Sequence, residues 1–246
     1  MKPTLIIVNA AAVKKIAATL SLSLVFACAA FAVNNNAVNN NEDQRVRQAG
    51  QALSEILNAA NGIPQNLLDR ASCILIFPSV EKGTFGVGGR YGRGVLVCRS
   101  GLHQTDSWGS PALYALEGRG VKFPGGRNVD FVLLVMNPEA ARSLLSGRVK
   151  LGWQISTAAG PAASTPEKVS APGDAEILCY SRDRGVFTGI SLAGSTLRSD
   201  ANADQKLYGK KKLTAKGIIL DRAVGVPACA GQLVSILNSK SPSSPS

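Results

Sequence analysis

Histidine is almost missing from this chain: the single example, His103, sits in a polar stretch. With no second imidazole to pass a proton or hold a metal, the usual carrier of acid–base chemistry is absent, and a lone loop histidine is ordinarily a solvated one. The five cysteines include no CxxC pair, which removes the common zinc spacing. Acids are few and scattered, so no paired carboxylates of the kind used in glycoside hydrolysis can be picked out. Glycines crowd the stretch Lys82 to Gly94, but no Lys-Ser or Lys-Thr follows and the next segment reads as strand, which excludes a phosphate-binding loop. Ser191, in Gly189-Ile190-Ser191, lacks the strand, sharp turn and helix of a hydrolase elbow. No catalytic residue, metal site or cofactor is therefore expected.

Aromatic residues make up only 5% while glycines number 25, a balance that suits short strands and tight turns better than a helical bundle. Basic residues are plentiful, 27 against 16 acids. Three of them, Lys2, Lys14 and Lys15, lie in the first 32 residues, so the rest carries 24 against 16, a charge of +8. That excess favours anionic partners such as phospholipid surfaces, nucleic acid or acidic polymers.

The first 32 residues read as an export signal: Lys14-Lys15, the apolar run 16–27, then Ala30-Phe31-Ala32 as the cleavage signal. The run is short for a bilayer-spanning helix, and no later stretch is long enough. Val25-Phe26-Ala27-Cys28 resembles a bacterial lipobox, with Cys28 as the lipidated residue, so processing there competes with cleavage after Ala32. Either route predicts a periplasmic or secreted protein, anchored if Cys28 is acylated. In such an oxidising compartment Cys73, Cys98, Cys179 and Cys229 can bridge in three ways, and the spacing selects none.

Residues 33–44 are a polar tether around VNNNAVNNN. Val46, Ala49, Leu53, Ile56, Leu57 and Ala60 then recur at helical spacing, after Glu42 and Asp43 and before Asn61-Gly62, which predicts an amphipathic helix. Its apolar face either packs on the core or is offered in part to a membrane, with Arg45 and Arg47 near lipid phosphates. A short helix over Gln65 to Asp69 precedes a strand from Cys73 that Pro78 should end. Two glycine-rich strands should then turn near Tyr91-Gly92, with Lys82, Arg90 and Arg93 beside them. Val129 to Met136 is apolar enough to be buried on both faces. Asn137-Pro138-Glu139 starts a helix, and Lys150 to Ala158 reads as strand.

The hairpin at Ala175 to Leu197 organises the rest, its strands flanking Ser181-Arg182-Asp183-Arg184-Gly185. Gly189 inside its second strand costs stability unless another backbone approaches there, which points to a crossing strand, a bulge or a barrel corner. Asp200 caps a helix to Tyr208, Lys210-Lys211-Lys212 follow, and Pro227 begins a closing helix with Leu233, Val234 and Leu237 inward. Residues from Ser239 read as a solvated tail.

The order of these pieces resembles the SYLF domain family. The matching pieces are Ile63-Pro64, Lys82-Gly83 with Gly86 to Gly94, Trp108-Gly109-Ser110-Pro111, Asp130 to Asn137, Gly160-Pro161, Tyr180-Ser181-Arg182 with Arg184 to Leu192, and Leu207-Tyr208-Gly209. The chain departs from the pattern where Ala193 replaces an acid, and at Lys122, Pro124 and Arg127. The resemblance implies a non-catalytic binder of phosphoinositides and other anionic lipids; fungal members also bind actin, which an exported protein would not normally meet.

The expectation is thus one α+β domain over residues 45–240, a mostly antiparallel glycine-rich sheet or partly closed barrel flanked by an amphipathic N-terminal helix, short helices and a C-terminal helix. Its expected headgroup ligands are Arg45, Arg47, Lys82, Arg90, Arg93, Lys210, Lys211 and Lys212. Val46, Leu53, Ile56 and Leu57 are the expected membrane-inserting residues. Export argues against a nucleic-acid partner. A structural or protein-interaction role in the cell envelope is the alternative, and an uncharacterised enzyme the second.

Overall fold

The apolar stretch at 129–135 becomes strand β4 (Asn128–Val135), flanked on both sides by antiparallel neighbours, β1 (Cys73–Lys82) and β7 (Ile177–Asp183). Every residue from Val129 to Val135 is buried: Phe131, Leu133 and Val135 enter one apolar cluster, Val132 and Leu134 the other. The computed structural model describes residues 41–59, 62–82, 90–103, 105–118, 128–161, 175–183 and 185–243. The expected export signal, Cys28, residues 33–40 of the polar tether and the stretch around Lys122 to Arg127 lie outside them; the last four residues expected in the tether, 41–44, instead form the first turn of a helix.

The remaining strands are β2 (Arg90–Cys98), β3 (Ala112–Gly118), β5 (Arg148–Lys150), β6 (Thr157–Ala159), β8 (Val186–Gly189) and β9 (Thr196–Ser199). They form one curled sheet in the order β5-β9-β3-β2-β1-β4-β7-β6, with β8 paired to β7; the pairing of β6 with β7 is parallel and the other strand pairs are antiparallel. The order leaves β5 and β6 at opposite ends, so the sheet is a half-barrel. This is the α+β architecture that the composition and patterning predict.

Helices cover both faces. Helix α1 (Asn41–Leu57), α2 (Gln65–Arg70) and the C-terminal α6 (Gly231–Lys240) pack on the face carrying Ile74 and Ile76. Helix α3 (Pro138–Leu145), capped by the Asn137 side chain, and α5 (Ala215–Ile219) pack on the face carrying Leu75 and Phe77. Helix α4 (Ala201–Tyr208) is capped by Asp200, as the sequence predicts.

Four local expectations are corrected. Pro78 does not end β1: the strand continues through an irregular register, where a proline without an N–H is tolerated, and Ser79 N, at φ 49°, donates to Asp130 Oδ1 at 2.8 Å. Tyr91 and Gly92 lie inside β2, not in a turn. The stretch from Lys150 to Ala158 is broken by a turn between β5 and β6. The tail does not start at Ser239, because Ser241 is fully buried.

Ser241 is held by Arg99. This arginine is itself fully buried and donates to the carbonyls of Ala71, Asp106 and Asp69 and to Ser241 Oγ, at 2.7–3.3 Å, while stacking 4.5 Å from the Trp108 ring centre. Cys73 and Cys98, opposed in register on β1 and β2, form a disulfide, while Cys179 and Cys229 are free and buried, so one bridge forms and none of the three two-bridge pairings does.

The hairpin forms as β7 and β8, and the close approach at Gly189 is real. A Cβ there would lie 2.1 Å from the Gly160 carbonyl oxygen, and a Cβ on Gly160 would lie 2.0 Å from the Tyr180 ring. Two backbones therefore cross on a tyrosine face, which only glycine permits. Strand β8 ends at Gly189, where the crossing lies. Val186 and Thr188 consequently face solvent while Ile190 and Leu192 turn inward, not all to one face as strand alternation predicts.

Candidate anion-binding surface

Arg45 precedes Val46 on α1 and so sits at the border of the buried stripe, only 4% exposed. Its Nη1 and Nη2 donate to Asp200 Oδ2 at 3.5 and 3.3 Å, joining α1 to the cap of α4. Its Nε is buried with no hydrogen-bond partner among the described residues. Burial first, then the neighbouring Arg93 charge, holds the Arg45 guanidinium below its usual range against the pull of Asp200. Arg93 is paired in turn with Glu42 at 3.2 Å. Between the two arginines lies a cleft of about 340 Å³, lined also by Asn41, Gln48 and Ser79.

The sheet extends this charge sideways. Arg93 is opposed to Ala115 on β3, Ala115 to Arg198 on β9, and Arg198 to Arg148 on β5. Directly opposed residues project from the same face, so Arg93, Arg198 and Arg148 form one cross-strand row with the small Ala115 as its gap. At the usual strand spacing the row is about 14 Å long. Glu117 sits among them, 3.1 Å from Arg198 and 3.2 Å from Arg148. The surface thus offers planar guanidinium forks, suited to phosphate or carboxylate oxygens.

The structure brings together only part of the predicted set. Arg45 and Arg93 share the cleft. Arg47 is exposed on the side of α1 near Cys229, whose thiol is pushed up to about 11 by burial and by Asp43. Lys210, Lys211 and Lys212 are exposed beyond the C-terminal end of α4, roughly 12 Å of helix away from Asp200. Lys82 and Arg90 are backbone partners at the end of the β1–β2 pair; their side chains lie outside the described residues.

The expected membrane-inserting face is corrected. Val46, Leu53 and Ile56 are fully buried against the sheet and α6, and Leu57 is half-buried. Exposing the three buried side chains costs roughly 5–8 kcal/mol, as much as the whole stability of many domains. Helix amphipathicity looks the same for a core face and a lipid face, and here the core takes it.

Motif residues of the hairpin are structural. Arg182 Nε donates to Asp130 Oδ2 at 2.9 Å, and the same guanidinium pairs with Glu55 of α1, which fastens the helix over the sheet. Sequence reasoning missed Arg198, Arg148 and Glu42, because nothing in short segments shows that β9 lies beside β3 and β5 beside β9. His103 is exposed in the turn after β2. Among the described residues no group of three His, Cys, Asp or Glu could hold a metal ion, and no helix is long and apolar enough to cross a membrane.

Comparison with known proteins adds a family. Residues 119–240 match the family described as "Ysc84: Las17-binding protein actin regulator". The chain is 31% identical to Protein YSC84 of Saccharomyces cerevisiae over 217 residues, 84% of this chain and 45% of that protein. It is 30% identical to LAS seventeen-binding protein 3 of the same yeast, over 84% of this chain and 46% of the relative. The SH3 domain-containing YSC84-like protein 1 of Xenopus laevis is 29% identical over 83% of this chain and 62% of its own length. The chain thus spans about half the length of the yeast relatives it matches, and the family is described by binding and regulation, not by a reaction. Through this domain the chain belongs to the Ysc84/SYLF family.

Proposed function

We propose that this chain is a non-catalytic module that docks on anionic membrane surfaces by holding phosphate-bearing, phosphoinositide-like headgroups. The observation that carries the reading is the Arg45–Arg93 cleft, where one buried guanidinium keeps an unsatisfied donor beside a second cation. An anion oxygen entering the cleft would pair with the guanidiniums that line it and offset the repulsion between the two arginines. The row through Arg198 and Arg148, and the exposed Lys210-Lys211-Lys212 cluster, add attraction that is screened by salt. Export, with anchoring through Cys28 as the variant, belongs to the same proposal and is checked by the intact mass of the mature protein.

Sedimentation with vesicles of phosphatidylcholine alone, or mixed with phosphatidylserine or a phosphoinositide, at low and high salt, tests it. Binding confined to the anionic vesicles and weakened by salt is expected; equal binding to both kinds overturns it. A second reading is favoured by the family description: the family is described as Las17-binding and one yeast relative is named LAS seventeen-binding protein 3, so this chain would use the same surface on an acidic protein partner. Sedimentation with actin filaments in place of vesicles separates the two.

A further inference from the structure

With the apolar face of α1 committed to the core, insertion into a bilayer needs another element, and the turn between β5 and β6 supplies one. Trp153, at its tip, is 79% exposed, whereas the second tryptophan of the chain, Trp108, is 3% exposed and donates through Nε1 to Ser241 O. A tryptophan so far in water gives up most of the apolar burial its ring could contribute, which calls for a partner.

The turn is rigidly held. Leu151 and Ile155, on either side of the tip, are buried. Leu151 N donates to Ser195 O, Gly194 N to Leu151 O, and Gly152 N to Ile155 O, all within 2.8–2.9 Å. Lys150 N donates to Gln154 Oε1 at 2.7 Å, closing the turn from within. The indole is therefore presented by a fixed base.

Its surroundings are cationic. Lys150 Nζ lies 4.5 Å from the centre of the Trp153 ring. Lys150 and Arg148 are the two exposed residues of edge strand β5, with Val149 turned inward between them. Arg198 stands opposite Arg148 on the neighbouring strand. Against these three cations stands the shared carboxylate of Glu117, and Glu176 further along is engaged by Ser156 N at 2.9 Å. An exposed indole rimmed by basic side chains matches the headgroup layer of an anionic bilayer, where tryptophan rings settle and cations meet phosphates.

We infer that the Trp153 turn is the membrane-inserting element of this domain, seating the indole at headgroup depth with Arg148, Lys150 and Arg198 on lipid phosphates. The inference rests on the lipid-docking reading and continues the arginine row that starts at the Arg45–Arg93 cleft.

The test is intrinsic fluorescence of the intact chain with vesicles of phosphatidylcholine and phosphatidylserine, run beside sedimentation. Wild-type emission is expected to shift to the blue and to be quenched by brominated phosphatidylcholine, while Trp153→Phe, which retains only the buried Trp108, shows neither change. Trp153→Ala should weaken vesicle binding about tenfold, from the loss of partial indole burial. Sedimentation with vesicles but an unquenched, unshifted wild-type spectrum overturns the inference and leaves lipid docking standing. Failure to sediment with any vesicle overturns both. Loss of binding to actin filaments in Trp153→Ala, with vesicle binding intact, assigns the turn to a protein partner and also overturns the inference. The wild-type quenching measurement needs no variant, so a folding defect in either substitution cannot mask the result.

Discussion

Asp204 allows the packing around Arg45 to be tested through pH. Its side chain is fully buried where α4 meets β3: Oδ1 accepts the Leu113 N–H at 2.7 Å, and Oδ2 has no hydrogen-bond partner among the described residues. Burial, only partly offset by the Leu113 N–H, pushes its pKa from an ordinary 3.8 up to about 7. The folded state therefore holds a proton that the unfolded chain has already released. The resulting stability is fully present below 3.8 and is lost as pH rises through about 7. That gap corresponds to on the order of 4 kcal/mol. Asp204→Asn removes the titration while keeping an acceptor for Leu113 N, at the cost of a buried amide donor worth about 1–3 kcal/mol at every pH. Urea unfolding of both proteins at pH 4 and pH 8, with the disulfide intact, separates the two effects. The constant cost cancels between the two pH values, so the variant should gain about 4 kcal/mol on the wild type in going from pH 4 to pH 8. Parallel pH–stability profiles would refute the reasoning, because they would show that the carboxyl is solvated or already paired.

Three further outcomes follow from the packing. Gly189→Ala drives a methyl into the Gly160 carbonyl and should cost about 2–4 kcal/mol in urea unfolding, whereas Gly185→Ala, with open space but a φ of 84°, should cost nearer 1 kcal/mol. Arg99→Ala removes the clip on the chain end and should cost about 3–5 kcal/mol, with faster hydrogen exchange in α6 and a red shift of Trp108 emission. Breaking the Cys73–Cys98 bridge, which spans 25 residues, should cost about 3.5 kcal/mol by loop entropy, read as a lower urea midpoint under reducing conditions.

Long-period signals were legible and spatial ones were not. The inward Leu233, Val234 and Leu237 of α6, the Asn137 cap of α3 and the two-sided burial of β4 follow from residue type and spacing, and each appears where the pattern places it. Strands β5 and β9, of three and four residues, are too short to show alternation, so the arginine row they complete stayed hidden. Arg45 and Arg47 read as one basic pair, but two helical positions turn them about 200° apart, and only Arg45 reaches the cleft. Disulfide pairing depends on which strands adjoin, which the order of the cysteines does not encode.

The central claim is that the cleft and its row hold an anionic surface by charge. The most direct measurement is vesicle affinity of Arg93→Gln beside wild type and Arg93→Lys, on phosphatidylserine-containing and neutral vesicles across a salt series. One surface cation contributes about 1 kcal/mol, so Arg93→Gln should weaken anionic-vesicle binding about fivefold and flatten its salt dependence, with Arg93→Lys retaining most of it. Unchanged affinity in Arg93→Gln, or wild-type binding that ignores lipid charge and salt, would contradict the account.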